Sequence, residues 1–192
     1  MNEERNRALL KRLAPHRDGW GQRPAEVTPE PVGAGEESVW DYPRPPVLRP
    51  APGRVIVRHR SVTIADTSDA LEMCETASAA VPYIRPADVA MDHLKRAAGT
   101  SLCEWKGEAI YFDVIAGGAA ARRAAFAYPD PLDDLDLGYA RIAGWIAFHP
   151  ALVDEAWIDG LRAAPQPGGL YAGWVTSRIK GPVKGAPGTE HW

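Results

Sequence analysis

Cys103 and Lys106 stand three positions apart in the segment Cys103-Glu104-Trp105-Lys106-Gly107. An ammonium beside a thiol favours the thiolate, and a thiolate is a nucleophile or a redox-sensitive group. In a plain strand, residues 103 and 105 share one face and 106 takes the other, so the pair converges only if Lys106-Gly107 turns the chain. Tyr128 and His149 are the candidate assistants; His149, just before Pro150, belongs to the residue type that exchanges protons near neutrality. Against this stands a blander reading, a buried core cysteine beside a surface or ion-paired lysine, because free cysteine is among the most buried residue types.

A second set of residues is suited to holding a ligand. Arg44 sits between prolines, which pre-set its backbone and let its guanidinium fork be aimed at a carboxylate or phosphate. It could equally bridge to Asp66 or Glu75 as a structural pair. Glu75 and Asp113 fall in strand-like runs, where carboxylates are rarely buried unpaired, so each is a candidate partner for Arg44 or Lys106. Tyr83, Trp105, Tyr111, Tyr128 and Trp145 are either core aromatics or the walls of a small-ligand pocket. Asp130, Asp133, Asp134 and Asp136 form an acidic run in a Pro-rich loop and read as solvated charge.

The elements that must position these groups are short and mostly extended. Residues 2–13 have the spacing of a short amphipathic helix, with Leu9, Leu10 and Leu13 on one side; a helix this short must dock or fray. Residues 24–35 are a Pro/Gly-rich linker. The prolines between 43 and 50 favour polyproline geometry. Residues 54–59 and 62–65 alternate as two strands across a tight turn at Arg60-Ser61. Residues 70–76 are ambiguous between strand and helix, 81–84 predict a short strand, and 87–97 predict a helix through Val89, Met91 and Leu94. Residues 102–105 and 108–116 predict strands. Gly117-Gly118 predicts a two-residue hairpin turn returning over 119–128. Residues 144–149 and 156–158 predict a final strand pair. The Gly/Pro-rich tail from Pro165 carries Tyr171, Trp174, Ile179 and Trp192, anchors suited to packing on the body or on a neighbouring subunit.

Composition narrows the function classes. The 192 residues suggest one domain with arms. A net charge of −3 offers no excess of basic charge for phosphate backbones, so nucleic acid is not the expected partner. Two cysteines are too few for a secreted disulfide framework and fit a reducing compartment. No signal-peptide core or membrane-length apolar run is present. The expectation is a soluble, bacterial-type cytoplasmic protein with no membrane partner.

Several stretches together resemble domain-of-unknown-function family 427: ESVWDYPRPP from Glu36, IADT from Ile64, CEWKGEAIYFDV from Cys103, AYPDPL from Ala127 and IAGWIAFHP from Ile142. The resemblance implies a mainly β, β-tent (Mss4-like) fold of antiparallel sheets with one or two short helices. It spans residues 36–160, flanked by a helix-and-linker arm over 1–35 and a Gly/Pro-rich arm over 161–192. A nucleotidyltransferase label attaches to the family, but the acidic loop lacks a phosphate-cradling Gly-rich partner. Where the family typically reads Cys-Pro-Tyr-Lys-Gly, this chain has Glu104 and Trp105. Fold relatives often carry zinc; here Cys74 and Cys103 form no Cys-x-x-Cys pair, and a site from Cys74, Cys103, His93 and His149 has no support from ligand spacing. No metal and no cofactor are expected.

Three functions stay open. The first is a small-molecule binding protein with an aromatic pocket gated by Arg44 and Lys106. The second is an enzyme with Cys103 as nucleophilic or redox centre, assisted by Lys106, Tyr128 or His149. The third is an assembly module forming a homodimer through the C-terminal arm.

Overall fold

Alternation drives the first sheet. Val55 and Val57 are fully buried while Arg58 faces out, and Arg60 and Ser61 both take left-handed backbone angles at the turn. Two such residues give the twist that a two-residue hairpin needs. The computed structural model describes residues 3–17, 23–189 and 192. Its elements are α1 (Glu3–Arg17), β1 (Glu37–Ser38), β2 (Val47–Pro50), β3 (Val55–His59), β4 (Val62–Thr67), β5 (Leu71–Cys74) and β6 (Val81–Tyr83). They continue with β7 (Leu94–Cys103), β8 (Gly107–Ala116), β9 (Ala119–Ala127), β10 (Ala147–Phe148) and β11 (Glu155–Ile158). The short strands β12 (Leu161–Arg162), β13 (Ala164–Pro165), β14 (Trp174–Val175) and β15 (Ile179–Lys180) complete the order.

The fold is mainly β, with several separate sheets and no closed barrel among the described residues. Two four-stranded antiparallel sheets, β10-β9-β8-β7 and β12-β11-β3-β4, contribute to the largest core, which holds Val55, Ile64, Val114, Phe148 and Ile158. Small residues on β9 (Ala124, Ala125 and Ala127) let this sheet pack closely. A three-stranded sheet, β2-β5-β6, shares a second core with the lower half of the β8–β9 hairpin: Met73, Tyr83, Phe126, Tyr128 and Tyr139. Each fully buried large apolar side chain contributes about 2 kcal/mol. A third, smaller core joins Val39 and Tyr42 to Cys74 and Ile179, so the C-terminal tail folds back over the body of its own chain.

α1 docks rather than frays. Leu13 is buried, and Arg17 donates to the Glu104 carbonyl at 2.7 Å and pairs with Asp134 at 2.6 Å. Asn2, the first residue of the expected helix, lies outside the described residues. Pro50 fits within β2 because that strand is an edge, where a missing N–H costs nothing.

Two expectations are corrected. Residues 87–97 form no α-helix: two 3-10 turns, Pro86–Asp88 and Met91–His93, lead straight into β7. Val89 and Leu94 both reach the main core, but from an extended chain, Val89 by bridging to Ala65. The strands after residue 144 do not pair with each other either: β10 adds to β9, and β11 lies between β3 and β12. No helix of the described residues is long and apolar enough to cross a membrane.

Candidate functional site

A cavity of about 390 Å³ opens beside the second core. Its position follows from one turn. β7 ends at Cys103, three residues reverse the chain, and β8 begins at Gly107 in a left-handed conformation (φ 85°). This is the backbone that short hairpin loops reserve for glycine; a side chain at 107 would also press on Leu132, 3.1 Å from the position of its Cβ. The turn redirects Lys106, so Cys103 and Lys106 line the same cavity.

Lys106 is 7% exposed. Among the described residues its ammonium makes no hydrogen bond or ion pair, and its close neighbour is the Tyr128 ring, 5.5 Å from Nζ to the centroid. Burial alone would discharge it. The polar groups around it, Cys103, Tyr128, Tyr83 and the Glu75 carboxylate, outweigh burial and hold its pKa well above the ordinary lysine value, so it stays charged.

Glu75, just past β5, is the counterweight. Arg44 donates to its Oε1 from Nη2 at 2.6 Å and from Nε at 3.2 Å, and Lys184 reaches the same oxygen at 3.5 Å. Burial pushes the Glu75 carboxyl up, but Lys184, Lys106 and Arg44 together hold it below the ordinary range. Lys184 is itself lowered by burial, against the pull of Glu75. Arg44 thus pairs with Glu75, one of the two partners expected for it, and stands behind the cavity wall; Asp66 pairs with Arg54 instead.

The walls are aromatic. Tyr83 and Tyr128 both set their rings near the Phe126 ring, at 6.2 Å and close to perpendicular, which suits the ring quadrupoles. Tyr111 exchanges a hydrogen bond with Ser101 at 2.7 Å. His149 lies 5.2 Å from Phe126, and burial lowers its pKa against a hydrogen bond with the Tyr171 backbone, so it stays neutral.

Of the residues singled out in the sequence, Glu75, Tyr83, Cys103, Lys106, Tyr111, Tyr128 and His149 meet at this cavity. Trp105 is buried in the aromatic core with the Arg17 guanidinium 5.3 Å from its ring. Trp145 packs against the same core from the outside. Asp113 points into a separate hollow, where Arg122 pairs with it at 2.8 Å. Among the described residues no group of three or more His, Cys, Asp and Glu is placed to hold a metal ion.

The tail closes the cavity: Tyr171 and Trp192, expected only as packing anchors, line it together with Gln166 and Lys184, which sequence reasoning missed. Gln166 is 2% exposed, accepts from the Ala79 N–H at 3.0 Å and donates to the Lys184 carbonyl at 3.1 Å. A buried glutamine splinting two backbone segments has no periodic signature; its only trace in the sequence is that the tail carries aromatic anchors at all.

The family described as Domain of unknown function (DUF427) matches residues 47–159, more than half of the chain. The chain belongs to the DUF427 family. No curated protein matches it. The DUF427 span supplies Glu75, Lys106 and most of the aromatic wall, whereas Arg44 and the closing tail lie outside it.

Proposed function

We propose that this DUF427 protein binds a small monoanionic molecule with a flat, largely apolar body. The observation that carries the reading is Lys106, a charged side chain buried against aromatic rings with no anionic partner in contact. A ligand anion in contact with Lys106 would supply the charge-assisted hydrogen bonds that the ammonium lacks among the described residues. The cavity volume suits a compact ligand, and its aromatic lining suits a planar one. Benzoate and its uncharged amide are the discriminating pair of probes. Thermal stabilisation by benzoate-type anions, absent with benzamide and absent in Lys106→Met, is expected; equal responses to both probes would overturn the reading.

Cys103 on the same wall supports a second reading, a thiol-based centre assisted by Lys106. Cys74 is an internal control: burial, with Glu72 adding to it, pushes that thiol up to about 12. Mass spectrometry after iodoacetamide treatment is expected to show Cys103 modified and Cys74 spared, with slower modification in Lys106→Met. An unchanged Cys103 rate in that variant would remove Lys106 from the chemistry.

A further inference from the structure

The long β7–β8–β9 sheet is broken at one level on both sides. Between Arg96 and Thr100, β7 advances four residues while β8 advances two, from Phe112 to Ile110. Between Ala121 and Ala125, β9 advances four while β8 advances two, from Val114 to Phe112. Two extra residues in each outer strand, flanking Phe112, make a pair of bulges, and bulges re-aim side chains. Here they gather Lys95, Arg96, Arg122 and Arg123 around a hollow of about 440 Å³ with Asp113 in its wall.

Asp113 acts as the organiser. Its Oδ1 accepts the Arg123 backbone N–H at 2.8 Å and its Oδ2 accepts from Arg122 Nη1 at 2.8 Å. Arg123 holds a left-handed backbone (φ 52°), and its guanidinium stacks 3.8 Å from the Tyr111 ring centroid. It also donates to the Ala98 carbonyl in the β7 bulge at 3.3 Å. Arg96 donates to the Tyr111 carbonyl at 3.1 Å. Gly99 belongs to the same device: its φ is +82°, and a Cβ there would come within 3.1 Å of Arg123 Nη1. Arg122, with its side chain 81% exposed, keeps donors directed at solvent.

Four cations around one carboxylate leave three positive charges in excess, in a chain whose net charge is −3. Like charges held together on bulged strands oppose folding unless an anion joins them. Guanidinium forks in fixed orientation suit phosphate oxygens. The geometry points to a second anion site at the paired bulges, open to solvent and separate from the aromatic cavity, that takes a small phosphate-bearing molecule of two or more negative charges. A nucleic-acid backbone would need a longer basic track than this single hollow. The site does not depend on the cavity reading.

The test is an amide NMR titration of the full chain with inorganic tripolyphosphate at low salt. Saturable shifts are expected at Gly99, Asp113, Arg122 and Arg123. Replacing Lys95 and Arg122 together by Gln is expected to weaken binding by about tenfold or more, since each removes a charged donor. Both side chains are exposed, so folding is preserved. Arg141→Gln, at an exposed position elsewhere, is expected to change nothing. Non-saturable shifts, an equal loss in Arg141→Gln, or shifts centred on Lys106 and Tyr128 would overturn the proposal. So would binding to double-stranded DNA or phosphatidylglycerol vesicles with none to tripolyphosphate.

Discussion

Glu72 and Glu75 lie three residues apart, one inside β5 and one just beyond it, yet the charges gathered around them differ in kind. Glu72 is 1% exposed and shares a closed ring with Glu37, Arg49 and Arg178. Arg49 reaches Glu72 at 2.6 Å and Glu37 at 2.7 Å; Arg178 reaches Glu37 at 2.9 Å and Glu72 at 3.4 Å. Two carboxylates face two guanidinia, and each bridges both partners. Around Glu75 the arrangement stays open, because Lys106 lies near the carboxylate but has no ion-pair contact among the described residues. A closed ring holds a structure together; a buried cation with no anion in contact offers a place for one from outside. The tail enters both, with Arg178 fastening it to the first cluster and Lys184 completing the second.

The sharpest test of this contrast is Glu75→Gln. It removes the carboxylate that Arg44 and Lys184, with side chains each 6% exposed, share beside Lys106. Breaking a buried pair in this way costs about 4 kcal/mol, measurable by urea denaturation. The pH dependence has a definite sign. The folded-state pKa of Glu75 lies below its ordinary value of 4.5, because three cations overcome burial. Its contribution is therefore complete above that ordinary value and is lost as pH falls through the folded-state value. Glu75→Gln is expected to remove this part of the acid limb. Adding Lys106→Met to Glu75→Gln is expected to recover part of the loss; no recovery would separate Lys106 from the cluster.

Glu72→Gln comes next, at about 3 kcal/mol. It leaves Arg49 and Arg178 sharing the Glu37 carboxylate alone, and Arg49, more than one-third exposed, can turn to water. Because the ring is closed, no ligand is expected to offset the loss. Benzoate is expected to stabilise Glu72→Gln only as much as it stabilises wild type; a larger stabilisation of the variant would mean that the two clusters do not differ as described.

Lys106→Met is expected to have a smaller effect, lowering stability by about 1 kcal/mol, since surroundings that hold the Lys106 pKa up favour its charged form in the folded chain. Anion binding is expected to vanish in the same variant. A small loss of stability with a complete loss of binding marks a residue kept mainly for function. A loss as large as that of Glu75→Gln would instead make Lys106 a structural charge.

How much of this was legible in the sequence depended on how local each signal was. The β3–β4 and β8–β9 hairpins read directly, because alternation and turn residues are neighbours in the chain. Residues 87–97 misled: Val89 and Leu94 are spaced as on a helix, but each meets the main core from its own extended segment. Seven candidate residues meet at the cavity because their strands pair in register, whereas Asp113, two residues beyond Tyr111, falls at the paired bulges and faces another hollow. Charge balance was beyond reach. Whether Arg178 or Lys184 sits beside a carboxylate more than a hundred residues away is decided only when the tail docks.

The smallest expected effect concerns His149, and it probes the sign of the cavity's field. Burial lowers its pKa from the ordinary 6.5, a hydrogen bond with the Tyr171 backbone opposes this, and the Arg123 charge adds to the lowering. The unfolded chain therefore takes up a proton at a higher pH than the folded one. Stability from the neutral ring is complete above 6.5 and is lost as pH falls through the folded-state value. His149→Gln is expected to flatten that portion of the stability curve by less than Glu75→Gln flattens the more acidic portion. An NMR titration of the imidazole reads the same quantity without a substitution. A ring that titrates at or above 6.5 would show that the cavity accepts another cation, which would count against an anion site at Lys106.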